Sequence, residues 1–134
     1  MTIVDQRDNR ARVKGALDAG ATYVQDTVTK ENLDSFLSSH LSSGDFLLDL
    51  AWNIDANTIL TWAHDHDVMY LNTSIEQWDP YEGGNNKHPL ERTLYVRHMA
   101  MREMMAKWDK PGKTAIVEHG ANPGLVSHLV KKVS

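Results

Sequence analysis

What most restricts the fold of this chain is a repeated alternation of short apolar runs with stretches of helical spacing. Thr2-Ile3-Val4-Asp5 is a β-branched run ending in an acid, and helix formers follow from Arg7 to Ala19, with Gly20 placed to stop them. Ala21 to Gln25 returns to strand composition. Thr29 and Asn32 then lead into Leu33, Phe36, Leu37 and Leu41 at spacings of three and four, closed by Ser42-Ser43-Gly44. Phe46 to Leu50 is broken only by Asp49 and predicts a parallel strand covered on both faces. Asp55 can cap a helix that buries Ile59, Leu60, Trp62 and Ala63, and Val68-Met69-Tyr70-Leu71 is the next strand. Glu91 to Trp108 reads as a long helix ended by Pro111-Gly112. Thr114 to Glu118 is the last strand, and Asn122-Pro123-Gly124 precedes a closing helix. Strands and helices in this order imply βαβ units with right-handed crossovers, so the fold class is α/β with a parallel sheet.

At 134 residues one domain is the ceiling, and 41% hydrophobic against 24% charged residues suits a folded, soluble chain. The charge of −4 and the scattered basic residues give no phosphate-binding footprint, which argues against nucleic acid. With no cysteine, no apolar stretch near ~18 residues and no charged-then-apolar leader, nothing suggests export or a membrane, and the cytoplasm is expected. From Asn72 to about Pro89 the chain turns polar and rich in Gly, Pro and Asn, too long for an ordinary connection. Residues 72–90 are therefore expected to form a flexible functional loop.

Doubly wound dinucleotide-binding sheets have the strand order 3-2-1-4-5-6, and the first strand ends in a glycine-rich turn that holds the pyrophosphate. No G-x-G-x-x-G occurs here. Asp5 has the place of the ribose-binding acid that ends the second strand, and its glycine turn is then expected before Met1. The five strands become numbers two to six of an incomplete Rossmann-like doubly wound sheet, a single partial dinucleotide-binding domain over 1–134 whose first βα unit is missing. An empty central place leaves backbone donors and acceptors unpaired, at about 1 to 3 kcal/mol each where buried. A homodimer, or a complementing chain that adds a strand, would relieve this.

Two blocks, Asn72-Thr73-Ser74-Ile75-Glu76-Gln77-Trp78 and Glu118-His119-Gly120-Ala121-Asn122-Pro123-Gly124-Leu125-Val126-Ser127, resemble the bacterial homospermidine synthases. The similarity runs along the whole chain, including Leu90-Glu91-Arg92-Thr93-Leu94-Tyr95, and covers under half of a family member's length. It implies a saccharopine-dehydrogenase-like Rossmann domain whose NAD takes a hydride from putrescine, a diamine, and returns it after a second putrescine amine has displaced ammonia. The net reaction is aminobutyl transfer, and catalysis is implied only within a longer parent. By carry-over, Glu76 and Asn122 are the catalytic positions, and Asp5, Trp78 and Pro123 the cofactor-binding ones. A carboxylate at Glu76 can bind a diamine cation and exchange a proton, and an amide at Asn122 can orient an amine or a nicotinamide. Alternatives are a fragment of a saccharopine dehydrogenase-type NAD(P) oxidoreductase, for which Asp5 predicts NAD over NADP, and a non-catalytic remnant or interaction module.

Each residue also has a plainer reading. Asp5 could cap the following helix, Glu76 could be a solvated loop carboxylate, and Trp78 could simply pack that loop. Asn122-Pro123-Gly124 could be no more than a turn and helix entry. Adjacent residues such as His64-Asp65-His66-Asp67 rarely converge on one ion, so no metal is expected. Met99, Met101, Met104 and Met105 are expected to pack in a core.

Overall fold

The computed structural model describes residues 1–79 and 88–133, and part of the loop expected at 72–90 therefore lies outside the described residues. The described chain forms two compact units, Met1–His40 and Leu41–Ser134.

In the first unit β1 (Thr2–Asp5) and β2 (Thr22–Gln25) pair in parallel, with Thr2 opposite Thr22 and Asp5 opposite Gln25. The helix predicted from Arg7 is reduced to α1 (Lys14–Asp18). The cause is a long-range competitor. The Asp5 carboxylate accepts the Arg7 N–H at 2.9 Å and the Asn9 side-chain amide at 2.8 Å. From β2, the Tyr23 hydroxyl donates to the Arg7 carbonyl and accepts the Asn9 N–H at 2.9 Å. Backbone groups that a helix would use are thereby committed to turns, as short polar side chains favour. α2 (Leu33–His40) begins where the sequence places it, because Thr29 and Asn32 exchange side-chain-to-backbone bonds of 2.7 and 3.3 Å ahead of it. It buries Leu33 and Leu37.

The second unit is a three-stranded parallel sheet in the order β3 (Phe46–Asp49), β4 (Met69–Asn72), β5 (Ala115–Ile116). Asp49 lies opposite Asn72, and Leu71 opposite Ile116. α3 (Ala56–Asp65) starts at Asp55, whose carboxylate accepts the Thr58 N–H at 2.8 Å. It packs on β4, and Ile59, Leu60, Ala63, Val68 and Tyr70 are buried. Fully burying an aliphatic side chain of this size contributes about 1.5–3 kcal/mol. A 3-10 turn (Pro89–Arg92) precedes α4 (Leu94–Met105), which buries Met101 but leaves Met105 exposed, so methionine packing is only partly internal. α5 (Leu125–Val133) closes the unit.

Among the described residues the strands pair in parallel within each of two sheets, one of two strands and one of three, the α/β class of an incomplete Rossmann-like fold. A second expectation fails. β3 was to be covered on both faces, yet Phe46 is 53% and Leu48 49% exposed. β3 is an outer strand of its sheet among the described residues, and α3 packs on its neighbour β4.

The histidine-rich run at the C-terminal end of α3 does structural work. His64 is buried, with Nδ1 2.8 Å from Asp65 Oδ1, Nε2 3.0 Å from the Lys110 carbonyl and its ring stacked on Trp108 at 3.9 Å. His66 stacks on Trp62 instead. Among the described residues no group of three His, Cys, Asp or Glu could hold a metal ion. A Cβ on Gly112 would lie 2.4 Å from His64 Cδ2. Because both ring nitrogens and one ring face of His64 are engaged, the ring cannot give way cheaply. Gly112→Ala is expected to destabilise the chain by about 1–3 kcal/mol, read as a lower urea midpoint at unchanged slope.

Candidate functional site

Open parallel sheets bind ligands beyond the carboxyl ends of their strands, and three strand ends here carry a polar residue that bears on the site. Asp5 ends β1, Asp49 ends β3 and Asn72 ends β4. In the second unit these groups form one hydrogen-bonded series. The Tyr70 hydroxyl donates to Asp49 Oδ2 at 2.7 Å, and Asn72 Nδ2 donates to the Tyr70 oxygen at 2.9 Å. Asn72 Oδ1 accepts the Glu118 N–H at 2.7 Å, and the Asn72 carbonyl accepts the His119 N–H at 2.9 Å. Finally, His98 Nε2 lies 2.6 Å from Glu118 Oε2. The segment after β5 is thus fixed to the end of β4.

Burial pushes the Asp49 carboxyl above the usual carboxylate value, with the Glu76 charge adding to it, while bonds from Tyr70 and the Ala51 N–H oppose the shift. Burial, followed by the Asp49 charge, raises the Tyr70 phenol further still, so it remains a donor.

Glu76 and Asn122 lie on the two segments that this series joins. The Glu76 carboxylate accepts the Ser74 hydroxyl at 2.9 Å. Its backbone is held from both sides, since the Glu76 carbonyl accepts the Ala56 N–H at 3.1 Å and Arg97 Nη1 donates to the Ile75 carbonyl at 2.7 Å. Trp78 is half-buried, and Asn122 and Pro123 are exposed. A Cβ on Gly120 would approach the Thr73 carbonyl oxygen to 2.9 Å, and Gly124 at φ +120° sits against Gly120. Only glycine tolerates that conformation and that closeness.

Asp5, in the first unit, caps no helix. Its carboxylate serves the Arg7–Asn9 turn, and the Arg7 N–H, followed by the Asn9 amide, holds its pKa below the usual value. Two accepted bonds leave lone pairs for further donors. A cavity of about 500 Å³ bordered by Leu60, His64, Tyr70, Met105, Trp108 and Lys113 opens where β4 and β5 begin, at the far end of the strands from Asn72 and Glu118. It is therefore not where the candidate residues meet.

The sequence reading missed Asp49, Tyr70, Asn72, His98 and Glu118 as parts of this site. A signal existed for two of them, because Asp49 and Asn72 are polar ends of apolar runs, as Asp5 is. His98 had none.

Residues 1–116 match the family described as Saccharopine dehydrogenase NADP binding domain. A homospermidine synthase of Mesorhizobium japonicum is 31% identical over 136 residues, covering 98% of this chain and 27% of that protein. One from Blastochloris viridis is 29% identical over 138 residues, with 98% and 28% covered. The crystal structure of the homospermidine synthase of Legionella pneumophila in complex with NAD superposes with a TM-score of 0.71 at 30% identity, covering 98% of this chain and 26% of that one. The chain spans about a quarter of the length of these relatives. Among the described residues no helix is long and apolar enough to cross a membrane.

The Asp49 shift fixes a pH dependence. A carboxyl whose folded pKa is raised stabilises the fold fully below its unfolded value of 3.8, and that contribution is lost as pH rises through the folded value. Urea denaturation of the native chain is expected to show a fall in stability across that window, and the Asp49→Asn curve to be flatter there. Parallel curves would mean that Asp49 is not the titrating group.

Proposed function

We propose, from the premise that this chain belongs to the saccharopine dehydrogenase NADP binding domain family, that it is the inner part of the NAD-binding domain of a homospermidine synthase-like enzyme. The observation that carries the reading is the attachment of the Glu118–Gly124 segment to the end of β4 through Asn72, which puts the Glu76 and Asn122 segments at neighbouring strand ends. Residues 1–134 act as one partial dinucleotide-binding domain, and 72–90 is its functional loop. Its work is cytoplasmic.

The fit to NAD is partial. Asp5, at the carboxyl end of a parallel strand and with acceptor capacity to spare, suits the ribose hydroxyls and repels a 2′-phosphate, which favours NAD over NADP. Asn122, Pro123 and Trp78 would border the nicotinamide. No glycine-rich turn in this sequence suits the pyrophosphate. Within the first unit β1 lies beside β2, and within the second β3, β4 and β5 run in succession, neighbours that the 3-2-1-4-5-6 order also has. A strand with a glycine-rich turn, from a longer polypeptide or a complementing chain, fills place one; a homodimer is the other way to cover the open edges.

When bound, NAD accepts a hydride from an amine-bearing carbon and later returns it. The residues of this chain hold charge and orientation. The Glu76 carboxylate, with its backbone fixed by α3 and α4, pairs with an ammonium of a putrescine-type diamine and exchanges its proton. The Asn122 amide orients the reacting amine.

The test replaces the matching segment of the Mesorhizobium japonicum enzyme by this chain. The chimera is expected to form homospermidine from putrescine, to bind NAD more tightly than NADP in calorimetry, and to lose on the order of a hundredfold in kcat on Glu76→Gln. The isolated chain is expected to form none. A folded, NAD-binding chimera without activity would refute the assigned reaction, and tighter NADP binding would refute the role of Asp5.

A further inference from the structure

α4 reaches both candidate segments with consecutive residues. Arg97 donates to the Ile75 carbonyl beside Glu76, and His98 meets Glu118 at the head of the Asn122 segment. Glu118 has a left-handed backbone, φ +57°, which is strained for a non-glycine residue and persists only where its surroundings impose it. Here they do so on two sides. The Glu118 N–H is taken by Asn72 Oδ1 at 2.7 Å, and its side chain, only 12% exposed, is taken by His98 at 2.6 Å. Four residues on, Asn122 stands exposed between Gly120, packed on Thr73, and Gly124, packed on Gly120. A loop this closely held is aimed by its first residue.

We infer that His98 and Glu118 are a positioning pair: the imidazole holds the Glu118 carboxylate, the carboxylate holds the left-handed turn, and the turn aims the Asn122 amide. Relevance to catalysis rests on the proposed function, whereas the aim of Asn122 does not. The pair is no proton relay, since the series continues from Glu118 to Asn72 through a backbone N–H and not through the carboxylate. The gain in placing His98 on α4 is that one rigid helix sets both segments, so Glu76 and Asn122 keep their relative placement.

The test uses NMR of the full 134-residue chain. In His98→Ala, the Asn122 side-chain amide resonances are expected to move and amide exchange at Glu118 and His119 to accelerate, while Tyr70 and Leu71 stay as they were. In His98→Gln, whose amide can still donate to Glu118, the native positions are expected to return. Should His98→Ala fail to fold, His98→Asn, too short to reach Glu118, carries the same expectation. Asn122 resonances that coincide with native in a folded His98→Ala or His98→Asn chain would overturn the proposal, as would a His98→Gln chain that behaves like the alanine variant. In the chimera, His98→Ala is expected to lower kcat by on the order of ten- to a hundredfold, as a displaced reacting group would. An unchanged kcat in an active chimera would end the catalytic part. A chimera that is inactive from the outset would sink the assigned reaction instead, and the NMR result on the positioning pair would stand.

Discussion

Burying the Asn72 side chain takes an amide with two donors and an acceptor out of water, and each group left unmatched would cost about 1–3 kcal/mol. That cost is reduced where the Tyr70 oxygen accepts an amide N–H and a backbone N–H reaches the amide oxygen. Tyr70 can accept because its own proton goes to Asp49. The backbone N–H is that of Glu118, delivered by a left-handed residue that His98 holds from α4. Satisfying one buried amide therefore couples the ends of three parallel strands and a helix. The candidate residues Glu76 and Asn122 stand on the segments that leave this junction.

The sequence made the strand and helix alternation legible because each element here satisfies its own pattern. Asp55 caps α3, the Ile59–Leu60–Ala63 spacing buries one face, and Thr29 with Asn32 opens α2. It misjudged Arg7–Val13, where helix propensity is real but Asp5 and Tyr23 take the backbone groups from outside the segment. β3 misled for another reason. Continuous apolarity shows that a strand is fit to be covered, and whether anything covers it depends on which neighbour a helix packs upon.

The site was legible as two segments and not as a constellation. Glu118 lay inside the Glu-His-Gly-Ala-Asn-Pro-Gly block, yet its part depends on a backbone conformation that residue identity does not announce. His98 lies twenty residues earlier in a helix with little amphipathic pattern, and only the packing of α4 brings it to Glu118. The His64–Asp67 run shows the converse. Its chemistry is conspicuous in sequence, but His64 is spent on Asp65, Lys110 and Trp108 as a structural pin.

The uncovered flank of β3 also gives the molecule an optical property. Of the four tryptophans, Trp62 is buried and Trp108 is stacked on an imidazole, whereas Trp52, three residues beyond the end of β3, is 69% exposed. Its indole emits from water, whereas that of Trp62 reports on the interior. A polypeptide strand seating itself along Phe46 and Leu48 would carry its own side chains toward that ring and shift its fluorescence to the blue. The chain thus carries an intrinsic dye at the edge where its sheet stops.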